Sequence, residues 1–203
     1  MDRSMWRTGM LTLLVYVLLA ATGLVAYRLF PRGETHTDPI DLRAVDWRSV
    51  EIPGTLCRSR KAIRLHGGTA INVPSDFDGP EPNMPQDVSA HTDEIFYGDI
   101  TGDDRDEAAL PVLCGNHDST AAGQRAMGIL VFDGGAQRMS LLGTLTSRKP
   151  RLGEPPNLLK VERMKPGGIT VKDSFYLADD YNCCPSGEAT ETWVHRKGRL
   201  VAR

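Results

Sequence analysis

The stretch GDITGDDRDEAALPVLCGNHDST, residues 98–120, concentrates the side chains able to do chemistry. Asp99, Thr101, Asp103, Arg105 and Glu107 fall on alternate positions. Side-chain oxygens from four of them, with the Arg105 carbonyl, can converge on one hard cation, and calcium, which takes roughly six to eight oxygen ligands, suits such a set. A second set, Asp99, Asp103, His117 and Asp118, offers three carboxylates and an imidazole. These are donors with which a two-metal centre activates water for hydrolysis.

Both sets carry resemblances. GNHD, Gly115 to Asp118, resembles the metallophosphoesterase box in which Asn and His help hold two metals, and GDITGD resembles that family's preceding GDxxD box. Here Asp99 and Asp103 stand as GDxxxD, and the earlier DxH and later paired-His segments are missing. A short motif without its context is weak, and Gly, Asn and Asp in CGNHDST are also the residues that turn chains. The acidic turn resembles the D-x-[ND]-x-D-G-x-x-[DE] turn of FG-GAP and VCBS β-propeller repeats, which implies bound calcium. Asp104 stands where that pattern has glycine, the residue that takes positive φ without steric cost. A single copy occurs where a propeller has several. Without an ion, the same residues make a β-turn with solvated carboxylates between EIFYG and EAALPVL.

The elements that must position these residues are strands. KAIRLHGG, TAINV, DEIFYGDI, DEAALPVLC, AMGILVFDGG, MSLLGTL, NLLKVERM, GITVKDSFYLA and EATETWVHRKGRLV are short apolar or alternating runs between Gly, Asp, Asn and Pro signals. They predict a mostly β fold: one antiparallel β-rich domain over residues 47–203, closing on a hairpin with Lys197 and Gly198 at its turn. VPSDFDGPEPNMPQDVSAHT and TSRKPRLGEPPN read as exposed Pro-rich loops. Residues 30–46 read as a polar tether with a short helix, N-capped by Asp38 with Pro39 at its first position.

Before the tether lies GMLTLLVYVLLAATGLVAY, Gly9 to Tyr27, without a charge. As a helix it spans roughly 28 Å, close to a bilayer core of about 30 Å, with Trp6, Tyr27 and Phe30 where an aromatic belt belongs. We read residues 9–29 as a single transmembrane helix and residues 1–8 as a cytoplasmic N-terminus. A cleaved signal peptide is the rival, since Ala21 and Gly23 have the spacing a signal peptidase reads. No Cys follows the run, which excludes a lipidated one at its end. Two Arg precede the run and two follow it, so charge leaves its orientation open.

The cysteines speak to the compartment. Cys57, Cys114, Cys183 and Cys184 all follow the span and lack a redox or metal spacing, which favours disulfides and a domain outside the cytoplasm. Adjacent Cα atoms lie about 3.8 Å apart, below the usual disulfide range of about 4.4 to 6.8 Å. Separate partners for Cys183 and Cys184 avoid that strain; Cys57 with Cys114 beside a vicinal pair is the competing set.

Of 203 residues, 40% are hydrophobic and 25% charged, stock for about one globular domain. Residues 1–32 carry +3, leaving −5 for the rest of a chain whose net charge is −2. An acidic body argues against nucleic acid, whose phosphates reward dense Lys and Arg. No GxSxG elbow occurs, and Ser186 reads as a turn residue. His66, His91 and His117 are too widely spaced for a local ligand pattern, and Trp47, Trp193 and Tyr176 read as core or interface aromatics.

Taken together, the anchor, YGDITGDDRDEAALPVLC, AGQRAMGILVFDGG and DDYNCCPSGEATETWVHRKGRLV resemble small exported proteins of actinobacteria, similar to the LppP/LprE-type lipoprotein family. The likeness runs from about Trp47 onward; its most specific pieces are CCPSG and GDxTGDxxDEA. It implies a location in the cell envelope and supplies no catalytic residues. The expectation is a membrane-anchored, non-catalytic binding module with an envelope protein or cell-wall partner. Its alternatives are a metal-dependent hydrolase using Asp99, Asp103, His117 and Asp118, and a purely structural envelope protein.

Overall fold

A computed structural model describes residues 38–76, 84–117, 124–147, 156–181 and 183–203. The transmembrane helix expected over residues 9–29 and Asp118 lie outside them, and no helix among the described residues is long and apolar enough to cross a membrane. The chain divides into the units Met1–Asp38 and Pro39–Arg203, and the second holds the sheets.

The runs become β1 (Glu51–Ile52), β2 (Ile63–Arg64), β3 (Thr69–Ser75), β4 (Met84–Ala90), β5 (Phe96–Gly98), β6 (Glu107–Asn116), β7 (Gln124–Gly134), β8 (Met139–Leu145), β9 (Leu158–Lys165), β10 (Gly168–Phe175), β11 (Gly187–Arg196) and β12 (Arg199–Ala202). All the pairings are antiparallel. β1 and β2 form a short ribbon, β9 to β12 a four-stranded sheet in the order β12-β11-β10-β9, and the remainder a six-stranded sheet in the order β3-β4-β6-β7-β8. β5 continues along the edge of β6 beyond β4, pairing Phe96 to Gly98 with Ala109 to Glu107.

The apolar runs EAALPVLC and AMGILVF do not alternate because both faces of their sheet are covered, the condition under which strands become continuously apolar. Ala108, Leu110, Val112 and Cys114 of β6, with Leu130 and Phe132 of β7, pack against Leu42, Trp47, Ile52, Ile63 and Leu65 of the N-terminal segment. On the other face Ala109, Ile129 and Val131 meet Leu159, Val161, Ile169, Val171 and Leu200 of the four-stranded sheet. Trp47 anchors the first cluster, its ring centroid 5.5 Å from that of Phe132 and its indole N–H donating to the Leu42 carbonyl at 3.0 Å. Tyr176 is also buried, and Trp193 packs against the second cluster, so these aromatics serve the core.

Three boundaries differ from the sequence reading. The tether helix is replaced by two 3₁₀ turns, Leu42–Ala44 and Trp47–Ser49, capped by Asp41 and Asp46, whose carboxylates accept from the Arg43 and Arg48 amides. Pro39 and Asp38 therefore start no helix. The body begins before Trp47, because Leu42 is 2% exposed and the Ile40 amide bonds the Gly135 carbonyl at 3.2 Å. The first Pro-rich loop conceals β4: MPQDVSA shows little apolar content, yet it pairs with both β3 and β6, and Val88 and Gln86 are buried. The terminal hairpin forms as expected, with Lys197 and Gly198 both at positive φ and Arg196 paired with Arg199.

Cys57 is bonded to Cys114, and Cys183 to Cys184, whose Cα atoms lie 3.8 Å apart. The preference for separate partners is thus corrected: β6 and the N-terminal layer already bring Cys57 and Cys114 within 5.5 Å, Cα to Cα. Their bridge closes 57 residues of chain, worth about 4 kcal/mol by loop entropy. The vicinal bridge closes no loop. We expect Cys57→Ser/Cys114→Ser to lower the free energy of denaturant unfolding by about 2 to 4 kcal/mol. Cys183→Ser/Cys184→Ser should shift it by less than about 1 kcal/mol in the same titration.

Candidate functional site

The acidic turn connects β5 to β6, and its backbone is held by its own carboxylates. Gly102 and Asp104 both take positive φ, +84° and +62°, so Asp104 adopts the conformation usually left to glycine. Asp and Asn reach this region more readily than other side chains, through local hydrogen bonding. Asp99 accepts from the Gly102 amide at 2.6 Å and the Asp104 amide at 3.2 Å. Glu107 is fully buried and accepts from the amides of Ile100 and Thr101, at 2.5 and 3.1 Å, and from the Thr101 hydroxyl at 3.0 Å.

Carboxylate oxygens of Asp99, Asp103 and Glu107 do gather within 4.8 Å of one another. One of the three, Asp103, already holds a cation of the chain. Arg105 enters by its guanidinium, which pairs with Asp103 at 2.5 Å, donates to the Gly134 carbonyl at 2.8 Å and lies 3.9 Å from Asp133. A divalent ion would compete with that guanidinium for Asp103. Desolvation works against the shift, yet hydrogen bonds from the Arg105 side chain and amide hold the Asp103 carboxyl below its usual range. Burial lifts the Glu107 carboxyl above the usual glutamate range, against three hydrogen bonds that favour its ionised form.

The hydrolase set is not brought together among the described residues. Asp99 and Asp103 precede the first residue of β6 and His117 follows its last; ten extended residues separate the two ends by roughly 30 Å. His117 instead lies 2.8 Å from Asp87, whose carboxylate also accepts from the Asn72 amide at 3.0 Å. His66 sits in the tight turn before β3, and His91 lies 3.8 Å from Glu94. Ser186 donates its hydroxyl to Asp180 at 2.7 Å, and the same carboxylate accepts the amides of Leu177 and Ser186. That places Ser186 in a turn.

Residue types alone pass over a groove of about 470 Å³ between the segment 58–64 and β3. Arg58, Arg60, Lys61 and Arg64 line it against one carboxylate, Asp76, which Arg60 engages at 2.9 Å. Ile71 and Val73 supply an apolar wall, and Ile71 is 68% exposed. The signal in the sequence is four cations within seven residues of an acidic chain. A second, more open depression of about 730 Å³ lies across the β1–β2 ribbon, with Asp46, Glu51, Arg64 and Arg138 among its lining residues.

The wall carrying the cations is fixed at several points. The Cys57–Cys114 bridge ties it to β6, Gln86 donates its side-chain amide to the Cys57 carbonyl at 2.6 Å, and the Asp76 amide bonds the Arg58 carbonyl at 3.1 Å. Gly54 lets the loop fold on itself. Its carbonyl accepts the Ser59 amide at 2.9 Å, and a β-carbon there would strike the Lys61 carbonyl. No protein-family model, curated protein or solved structure matches the chain.

Two outcomes follow for the acidic turn. Glu107→Ala strands the buried Ile100 amide and the half-buried Thr101 amide and should cost about 2 to 5 kcal/mol in chemical denaturation, whereas Asp103→Ala removes an exposed ion pair and should cost less than about 1 kcal/mol. Because the folded pKa of Glu107 is raised, the native state holds that proton more tightly than the unfolded chain. Its contribution to stability is complete below the ordinary glutamate value and is lost as pH rises through the folded value. Denaturation midpoints measured between about pH 4 and pH 7 should carry this falling component in the wild type and lack it in Glu107→Gln.

Proposed function

We propose that the chain is a membrane-anchored, non-catalytic binding module of the cell envelope. Residues 9–29 hold the β domain to the membrane, outside the cytoplasm, and the ligand surface is the basic groove between residues 58–64 and β3. The observation that carries this reading is the concentration of cations at a preorganised concave surface of an otherwise acidic body. Concave sites with an apolar wall and a few convergent polar groups are the ordinary form of a ligand site. Pairing of all four cysteines in disulfides supports an oxidising compartment. The likeness of CCPSG and GDxTGDxxDEA to exported actinobacterial proteins supports the envelope.

A structural envelope protein would have no use for the cations in this arrangement, and a metal-dependent hydrolase would need Asp99 and Asp103 beside His117. The test is a photo-reactive amino acid placed at Ile71 in the groove, or at Thr192 on β11, in intact cells. Adducts from Ile71 but not from Thr192 are expected. Absence of groove adducts, or Mn²⁺- or Zn²⁺-dependent phosphodiester cleavage abolished by His117→Ala, would sink the reading.

A further inference from the structure

We infer that the groove takes a single-chain anionic amphiphile, a phosphate or carboxylate head on an apolar body, captured as a monomer. This deepens the binding-module reading and rests on it.

Charge selects the head. No carboxylate pairs with Lys61 or Arg64 among the described residues, while Asp76, the one acid of the lining, is engaged by Arg60. Lys61 and Arg64 therefore present an ammonium and a guanidinium to the same concavity, a combination that favours phosphate or carboxylate oxygens. Apolar contact selects the body. Ile71 leaves 68% of its surface in water beside Val73. An alkyl chain laid along it would remove that surface from solvent, a gain proportional to the area covered.

The volume, about 470 Å³, is that of a small-molecule site. Capture of a monomer is favoured over docking on a bilayer because the chain beyond residue 32 carries −5, which an anionic surface repels. An added peptide strand is disfavoured by β3 itself. Its pairing with β4 shifts register between Ala70 and Val73, and Asn72 stands at a φ of +59°, so the edge facing the groove is interrupted where a strand would pair.

The experiment uses the full chain in nanodiscs of zwitterionic lipid, irradiated with a diazirine-bearing decyl phosphate below its micellar concentration, with labelled peptides mapped by mass spectrometry. We expect label on the groove peptides spanning 58–76, competed by octyl phosphate and octanoate but not by octyl glucoside or inorganic phosphate. Lys61→Glu and Arg64→Glu should each reduce groove labelling about tenfold, the usual scale for losing a charge-assisted contact. Lys160→Glu, the same change of charge on β9, should leave it unaltered. Circular dichroism of each variant guards against unfolding, and Ile71→Asp gives an independent loss through the apolar wall.

Equal labelling by a neutral decyl alcohol probe, or labelling indifferent to Lys61→Glu and Arg64→Glu, overturns the inference. So does Lys61-dependent sedimentation with phosphatidylglycerol vesicles in the absence of monomer labelling, which would assign the groove to a membrane surface. If the amphiphile fails while the Ile71 photo-adduct forms with a protein, the ligand class is wrong and the binding module stands. If both fail, the groove is not the ligand surface.

Discussion

Burial of β6 and β7 on both faces is the constraint from which the rest of the structure follows. A strand pair apolar on both sides cannot leave either side in water, so the six-stranded sheet requires two covers. The four-stranded sheet supplies one through Leu159, Val161, Ile169 and Val171. The N-terminal segment supplies the other through Leu42, Trp47, Ile52 and Leu65, yet it holds only two short turns and a two-residue ribbon. Such a layer has few backbone hydrogen bonds of its own. The bridge from Cys57 to Cys114 compensates by fixing it to the middle of the sheet it covers.

The groove is a consequence of that cover. Where the cross-linked loop leaves the layer, Gly54 turns it back on Lys61, and Gln86 and the Asp76 amide grip its carbonyls. The side chains of residues 58–64, having no interior to enter, project around the edge strand β3. Ile63 is the exception, buried at 3% exposure, and its alternation with Arg64 sets one wall of the concavity. The cross-link that steadies the layer and the wall of the basic groove thus belong to one element.

Much of this architecture is legible in the residues. TAINV, EAALPVLC, AMGILVF and GITVKDSF announce strands by composition, and Lys197-Gly198 announces its turn. The class of fold follows from them. What escapes is polar sequence in buried places. MPQDVSA conceals a central strand because Gln86 is buried by donating to a carbonyl of the loop, a partner that no local pattern reveals. Asp173 follows Ile169 and Val171 on the inward face of β10, so period two does place it inside. Its acceptance of the Ser147 and Asn157 side chains, 26 and 16 residues away, lies beyond local reading. The two 3₁₀ turns escape for a related reason: Asp41 and Asp46 cap turns too short to have a periodicity.

The candidate site was more legible as chemistry than as function. GDITGDDRDE does bring Asp99, Asp103 and Glu107 together, as their alternate spacing implies. Spacing fixes which oxygens converge; it does not decide what they converge on. Here the backbone amides of Ile100, Thr101, Gly102 and Asp104 take the oxygens of Glu107 and Asp99, and Arg105 takes Asp103. The turn satisfies its own charge because it must carry the chain sharply from β5 into β6, its immediate partner. The reverse holds in CRSRKAIRL, where ordinary strand-and-loop sequence leaves Lys61 and Arg64 in no ion pair among the described residues. Crowded carboxylates therefore mark a hydrogen-bonded turn in this chain, while cations in no ion pair among the described residues line the groove.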